Sequence, residues 1–365
     1  MPSARFPTGC GHRSPPLGTG EGMAALYATG IVLLLAALGA LAAGSVATTA
    51  LVTLVLPYLA WLTLIAGLCY RVWLWARAPV PFRIPTTSGQ QRSLPWLRRA
   101  QFDNPDSGAA AAVRVALEVL LFRSLLHNNR ARLAGGWLSF VPNLGLWLGG
   151  LAMHWALLII VLRHLRFALE PTPGWVASLS ALDGILQIGA PPLLITDVLV
   201  LLALLYLLLR RCWIPLMRYL SLFTDYFALL LLLGIALSGV ALRHVARVDI
   251  VAVKQLVLGI VRFDPQLPAA PSPLLLVHLL LVCTLAVYLP FSKLMHFGAA
   301  LLSPTRNLAN NSRRVRHVNP WNAPVPTHDY AEWEHEFADK LKAAGLPLDK
   351  VDPDKVDDAG PKAAN

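Results

Sequence analysis

Long apolar stretches recur along the chain, and shorter polar segments separate them. Six such stretches can be distinguished: Gly22–Val46, Leu51–Trp75, Trp137–Phe167, Leu193–Leu209, Phe223–Leu242 and Leu274–Phe297. A helix needs about 20 mainly apolar residues to cross a hydrocarbon core of about 30 Å. The pattern therefore predicts an all-α integral membrane protein with six transmembrane helices, the first of which precedes a five-helix core.

Polar segments at both ends delimit this membrane domain. Residues 1–21 are rich in Gly, Pro and Ser and predict an N-terminal extension. Residues 22–300 form the predicted membrane domain, and residues 301–365 form a polar tail with a short helix around residues 331–344. The first apolar run ends in ALAAGSVA, which also resembles a signal-peptidase site, but the run is long for a signal peptide. A retained helix is the favoured interpretation.

The distribution of charge indicates how the domain is oriented. The chain is 56% hydrophobic and 14% charged, with a net charge of +11. Lys and Arg are concentrated in alternate loops, and the loop of residues 76–136 holds nine arginines against three acidic residues. The positive-inside rule makes this loop, both termini and the tail cytoplasmic, in a bacterial inner membrane. Membrane topology therefore explains the excess of Lys and Arg, and binding to nucleic acid is not needed to account for it.

The Arg-rich loop contains a segment with helical periodicity. In residues 109–133, Arg114, Glu118 and Arg123 recur among leucines, which predicts an amphipathic helix. Such a helix lies on the membrane surface or against a partner, or it packs on its own bundle. The periodicity alone leaves these alternatives open.

Cysteine spacing limits the cofactors that the chain can hold by itself. The four cysteines are scattered without a CxxC pair, so we expect neither an iron–sulfur cluster nor covalent attachment of a c-type haem. Any cluster that receives electrons from this chain therefore belongs to a partner.

Four histidines lie inside the apolar stretches. His154 and His164 are in the third run, and His278 and His296 are in the sixth. An imidazole inside a membrane span is costly unless it has a partner, and a buried haem iron takes two imidazoles from opposite faces of the ring. We therefore expect two haem b groups. On the assigned topology, one histidine of each helix lies at each depth, so His154 pairs with His296 on the cytoplasmic side and His164 with His278 on the outer side.

The spacing of the histidines requires a distortion of the sixth helix. Ten residues advance about 15 Å along a helix and eighteen about 27 Å, so straight antiparallel rods do not match. Pro290, between His278 and His296, predicts a kink that shortens the longer distance. Eighteen residues are also five helical turns, which places both sixth-helix histidines on one face. His244, beside Arg243 at the end of the fifth run, is interpreted as interfacial rather than as a ligand.

At these residues the sequence resembles the gamma, or cytochrome b, subunit family of respiratory nitrate reductase. The matching features are PYLAWLTLIAGLCYRVW, the histidine pair spaced by ten, and VHLLLVCTLAVYLPFSKLMH with the pair spaced by eighteen. The resemblance implies the same assignment, with His154 and His296 on the inner haem and His164 and His278 on the outer haem. The additional first helix, the Arg-rich loop and the tail are similar to the membrane cytochrome b subunits associated with dissimilatory sulfite reductase.

The resemblance also implies partners and a function. The expected cytoplasmic partner is an iron–sulfur subunit similar to heterodisulfide reductase, accompanied by other membrane and outer-side subunits. The chain is then the electron-transfer subunit of an oxidoreductase complex in dissimilatory sulfur metabolism, acting as a quinol dehydrogenase or quinone reductase. Menaquinone or ubiquinone is the expected substrate. The alternatives are a subunit of the nitrate reductase type and, from a different class, a haem-free transporter or membrane anchor.

The quinone contacts are predicted from depth alone. Arg163, Arg166, Asp183 and Lys254 fall near the outer haem, where a headgroup needs hydrogen-bond partners for its oxygens. Arg163 and Arg166 are equally suited to haem propionates or lipid phosphate.

Overall fold

A computed structural model describes residues 19–78, 94, 96, 100, 102–126, 130–134, 137–185, 191–267, 271–303, 307–311 and 328–349. These described residues fall into two compact units, one within the ranges 1–76 and 82–317 and one within the ranges 77–81 and 318–365. The α-helices of the described part are α1 Thr19–Leu41, α2 Val46–Ala50, α3 Leu56–Ala76, α4 Gly108–Leu121, α5 Leu144–Ala168, α6 Gly174–Asp183, α7 Ile195–Trp213, α8 Pro215–Leu220, α9 Phe223–His244, α10 Ile250–Val261, α11 Pro273–Tyr288, α12 His296–Leu302 and α13 Tyr330–Ala343. The strands are β1 Arg130–Ala134 and β2 Trp137–Val141.

Five helical stretches of the described residues are long and apolar enough to cross a membrane. They are Gly22–Gly44, Val46–Ala76, Leu144–Ala168, Phe223–His244 and Pro273–Phe291. A π-helical turn, Leu51–Val55, joins α2 and α3 inside the second stretch. The prediction of a mainly helical, multi-pass membrane protein is confirmed. A sixth span at α7 stays a prediction, because that helix has nineteen residues with Asp197, Arg210 and Arg211 among them.

The helices of the first unit pack in a row. α5 packs on α7, α7 on α9, α9 on α11, and α11 on α3, while α1 covers α9 and α11. Buried apolar side chains at these contacts include Val32, Tyr226, Leu231 and Leu281. Many other large apolar side chains are exposed, such as Leu62 at 66%, as expected for a surface in contact with lipid. Three of the four predicted ligands lie on α5 and α11, which are separated in this row by α7 and α9.

A short β-hairpin precedes α5 within this mainly helical fold. β1 and β2 pair antiparallel, with Arg130 opposite Val141 and Ala134 opposite Trp137. The predicted third span therefore begins later, at Leu144, where the Asn143 side chain accepts a hydrogen bond from the Leu146 amide at 3.1 Å. Such an N-cap satisfies a backbone amide that the first turn leaves without a partner.

The amphipathic helix of the Arg-rich loop is shorter than its periodicity indicated. It is capped by Ser107 and ends at Leu121, because Phe122 adopts left-handed geometry with φ +49°. A 3-10 turn, Arg123–Leu126, follows. Left-handed backbone ends a helix and carries strain in a residue with a side chain.

The predicted sixth helix is broken rather than kinked. α11 ends at Tyr288, two 3-10 turns cover Leu289–Phe291 and Lys293–Met295, and α12 starts at His296. Pro290 has no amide hydrogen and cannot continue the helical ladder. The expectation that His278 and His296 share one face of a continuous helix is therefore wrong, although both remain ends of the same hydrophobic segment.

The second unit contains α13, close to the predicted tail helix. Asp329 and Glu332 form a capping box at its start. The buried Glu334 carboxylate accepts hydrogen bonds from the Asp349 amide at 2.5 Å and the Tyr330 hydroxyl at 3.3 Å. The Arg-rich stretch before this helix and the charged end after it lie outside the described residues.

Candidate functional site

His154 on α5 and His296 at the start of α12 face each other. Their ring centroids are 5.8 Å apart and the ring planes are inclined at 83°. Two metal–imidazole bonds of about 2 Å on opposite sides of one ion place the ring centroids about 6 Å apart. The separation therefore suits two imidazoles that share one metal centre. We call these two residues the first histidine pair.

Hydrogen bonds select the tautomer of each ring in the first histidine pair. The Nδ1 atom of His154 lies 2.7 Å from the Gly150 carbonyl, and that of His296 lies 2.9 Å from the Lys293 carbonyl. Because a carbonyl only accepts, Nδ1 is the donor in each neutral ring, and Nε2 keeps its lone pair. Metal-ligating histidines are held in this way.

The loop helix α4 packs beside the first histidine pair. The Trp147 and Trp155 indoles donate hydrogen bonds to the carbonyls of Leu121 and Leu120, at 2.7 and 3.0 Å. The Phe122 ring meets His154 edge-on with centroids 4.8 Å apart. Of the alternatives left open by the sequence, the structure therefore has α4 packed on its own bundle.

His164 and His278, the second histidine pair, lie near the opposite ends of α5 and α11. His164 Nδ1 is 2.7 Å from the Ile160 carbonyl. His278 Nδ1 is 2.9 Å from the Ser238 hydroxyl of α9. In both rings of this predicted pair, Nδ1 lies within hydrogen-bond distance of an oxygen, as it does in the first histidine pair.

The donor set fits a haem better than a free metal ion. Within the described ranges, no group of three or more His, Cys, Asp or Glu side chains could hold a metal ion. A haem iron receives four ligands from its macrocycle and needs only two from the protein, which is what each histidine pair offers. The structure brings His154 and His296 together, and the pairing of His164 with His278 stays a prediction.

A buried ion network lies next to His164. Arg163 on α5 pairs with Asp183 at 2.8 Å and with Asp197 at 2.9 Å, and all three side chains are buried. Asp183 also accepts hydrogen bonds from the Thr196 amide at 2.9 Å and hydroxyl at 2.6 Å. Two carboxylates therefore compensate the charge of Arg163, and its guanidinium is held between three helices.

A cavity of 370 Å³ opens beside this network. Its walls are formed by three arginines and five small or apolar residues: Arg163, Arg166, Arg243, Ser180, Ala181, Gly184, Pro192 and Leu194. The Nε atoms of Arg166 and Arg243 are buried without a hydrogen-bond partner in the described structure. Buried donors without partners point to a bound group or ordered water at this position.

The cavity brings together part of the predicted quinone set. Arg163 and Arg166 line it, and Asp183 is bonded to Arg163. Lys254 is not among the lining residues, and its ammonium pairs with Glu170. The sequence did not indicate Arg243 or Asp197 as site residues. A signal was available for Asp197, since a carboxylate near the start of an apolar run is costly without a partner.

These features define a class of protein, a helical membrane protein with two histidine pairs at different depths of one bundle. The family model of the nitrate reductase gamma subunit matches residues 137–317, which include both pairs and the arginine-lined cavity.

Two archaeal proteins extend the similarity. Both are named Hdr-like menaquinol oxidoreductase cytochrome b-like subunit. The one from Archaeoglobus profundus is 42% identical over 273 residues, covering 73% of this chain and 81% of the relative. The one from Archaeoglobus fulgidus is 40% identical over 280 residues, covering 74% and 84%. The chain belongs to the family of membrane cytochrome b-like subunits that these relatives and the nitrate reductase gamma model represent.

Proposed function

We propose that the chain is a di-haem b quinol dehydrogenase or quinone reductase subunit, in which His154 and His296 hold one haem and His164 and His278 the other. The observation that carries the proposal is that the rings of His154 and His296 lie 5.8 Å apart, and that each of the four imidazoles has Nδ1 within hydrogen-bond distance of an oxygen. A haem in each pair supplies a one-electron redox centre, so the two centres provide a path along the bundle.

The substrate proposed for the cavity beside the second histidine pair is a quinol, with menaquinol supported by the names of the relatives. A quinol loses two protons as well as two electrons, so its site needs hydrogen-bond donors and proton acceptors. Arg166 and Arg243 have unpaired guanidinium donors at the cavity. The Asp183 and Asp197 carboxylates lie behind Arg163 and are suited to receive protons.

Arg163 has a positioning role in this proposal. Both of its ion pairs are buried, so the side chain is held in one orientation between Asp183 and Asp197. The guanidinium groups of Arg166 and Arg243 favour negative charge that develops on a quinol oxygen as the proton leaves. The proposed headgroup contacts are therefore Arg166 and Arg243, supported by Arg163 and Asp183, while Lys254 is engaged by Glu170.

The proposed orientation follows from charge. With α7 as a sixth span, the Arg-rich loop and the tail are cytoplasmic, and the first histidine pair is the inner one. His164 and His278 would then hold the haem that accepts electrons from quinol, and His154 and His296 the haem that supplies them to a cytoplasmic iron–sulfur partner of the heterodisulfide reductase type. The term Hdr-like in the names of the relatives supports such a partner, and we extend the proposal to a complex of dissimilatory sulfur metabolism.

Spectroscopy of the detergent-purified full chain tests the proposal. We expect two b-type haems per chain in a pyridine haemochrome assay. The substitutions His164→Ala and His278→Ala should each remove one haem together with reduction by menadiol, while His244→Ala, a control outside both pairs, should retain two. A chain without haem after haem supplementation contradicts the assignment, and so does retention of two haems in both variants.

A further inference from the structure

Ser238 is the partner of one proposed ligand and is contributed by a different helix. This α9 residue is only 6% exposed, and its hydroxyl oxygen lies 2.9 Å from His278 Nδ1 on α11. The same oxygen lies 3.0 Å from the Ile235 carbonyl of its own helix. One hydroxyl therefore contacts both an imidazole nitrogen and a backbone oxygen.

The direction of these two hydrogen bonds determines the tautomer of His278. A serine hydroxyl has one proton, and the Ile235 carbonyl can only accept it. When the hydroxyl donates to Ile235, its oxygen accepts from His278 Nδ1–H, and Nε2 is left unprotonated. The opposite direction would put the ring proton on Nε2, where it blocks ligation.

His278 differs in this respect from the other three histidines. His154, His164 and His296 bond to carbonyls three or four residues earlier in the chain, at Gly150, Ile160 and Lys293. Their ring orientations are therefore set locally. The orientation of His278 depends instead on how α9 packs against α11.

The residue after Ser238, Gly239, also contacts the His278 ring. A Cβ atom on Gly239 would lie 3.2 Å from His278 Cε1 and 3.7 Å from Nδ1. The imidazole thus lies against the α9 backbone at Gly239 while its nitrogen reaches the adjacent hydroxyl. The backbone contact and the hydrogen bond, both at the Nδ1–Cε1 edge, together restrict rotation of the ring.

We propose that Ser238 is a positioning residue that fixes the tautomer and rotation of His278 and thereby sets the properties of the metal centre at the second histidine pair. The inference rests on the proposed function. A hydrogen bond accepted from Nδ1–H makes the imidazole a more basic ligand, and such bonds typically change metal affinity by about 10- to 100-fold. A more basic ligand favours the oxidised iron.

Redox titration of single-haem chains provides the test. The parent is the full chain with His296→Ala, so that the remaining haem belongs to the second histidine pair. Adding Ser238→Ala should raise the midpoint potential and weaken haem retention by about tenfold. Ser238→Thr, which keeps the hydroxyl, should restore both values. Thr284→Val is the matched control, because the Thr284 hydroxyl donates to the Leu280 carbonyl of its own helix, at 2.8 Å.

Each outcome of this experiment has a distinct meaning. If Ser238→Ala has the same midpoint potential and the same haem retention as the parent, the inference is overturned and the proposed function is left intact. If Ser238→Ala holds no haem, retention by Ser238→Thr supports the inference, and loss in both variants overturns it. A wild-type chain that binds no haem overturns the inference and the proposed function together.

Discussion

Gly67 on α3 lies directly against Pro290 at the break after α11. A Cβ atom on Gly67 would be 2.6 Å from Pro290 Cγ, well inside van der Waals contact. One turn later, Arg71 Nε donates a hydrogen bond to the Pro290 carbonyl at 2.9 Å. α3 therefore supports the segment that leads to His296.

Gly67→Val should displace this segment and weaken the haem proposed at the first histidine pair. Overpacking a buried contact costs about 1–3 kcal/mol, and the movement is transmitted to His296 through residues 291–295. Haem content and the spectrum of each centre measure the effect. Gly30→Val is the control, since nothing lies within 4 Å of a Cβ at Gly30. Equal haem content in the two variants would contradict the predicted role of the contact.

Asp197→Asn should destabilise the bundle. The substitution removes a charge-assisted hydrogen bond from Arg163, which typically contributes about 1.5–3 kcal/mol, while Asp183 still compensates the guanidinium. Thermal unfolding in detergent, monitored by size-exclusion chromatography, measures the loss of stability. Glu170→Gln, at a half-exposed pair with Lys254, should cost less than about 1 kcal/mol. A smaller loss for Asp197→Asn than for Glu170→Gln would count against a structural role of the network.

Arg166→Gln and Arg243→Gln should raise the KM for menadiol while leaving two haems in place. Loss of a charge-assisted hydrogen bond of about 1.5–3 kcal/mol corresponds to about tenfold or more in affinity. Stopped-flow reduction of the haems at varied menadiol concentration gives KM and the limiting rate separately. Lys254→Gln is the control, because its side chain is engaged by Glu170. An unchanged KM in both arginine variants places the quinol elsewhere.

Replacing Trp147 and Trp155 together by Phe should loosen α4. Both indole hydrogen bonds to Leu121 and Leu120 are lost, while the aromatic contact area is largely kept. Trypsin should then cleave faster after Arg114 and Arg123, as seen by mass spectrometry of the fragments. Trp175→Phe, at an exposed residue of α6, should leave the cleavage rate unchanged. The same rate in all three chains would indicate that other contacts hold α4.

The hydrophobic pattern predicted the helices well where one apolar run forms one helix. The fifth run, Phe223–Leu242, corresponds to α9, and the fourth corresponds to α7. The pattern failed at residues 137–143, because aromatic and branched residues suit a strand as well as a span. Left-handed geometry at Phe122 also lies outside what periodicity can indicate.

The histidines could be found from sequence because an imidazole in an apolar run is conspicuous. The pairing predicted for them rests on the direction of two helices. The hydrogen bond between Ser238 and His278 could not be predicted, since it depends on the rotation of α9 relative to α11. The same holds for Arg243, which reads as an ordinary interfacial cation until α5 and α9 are brought to one cavity.

The end of α11 at Tyr288 makes the two ligands of the last hydrophobic segment mechanically independent. His278 is inside a rigid helix that is covered by α1 and α9, whereas His296 starts a separate seven-residue helix. The two 3-10 turns between them belong to neither helix, so α11 and α12 need not move as one rod. A force applied to residues 296–302 therefore acts on His296 first, while the contacts of α11 with α1 and α9 hold His278 in place.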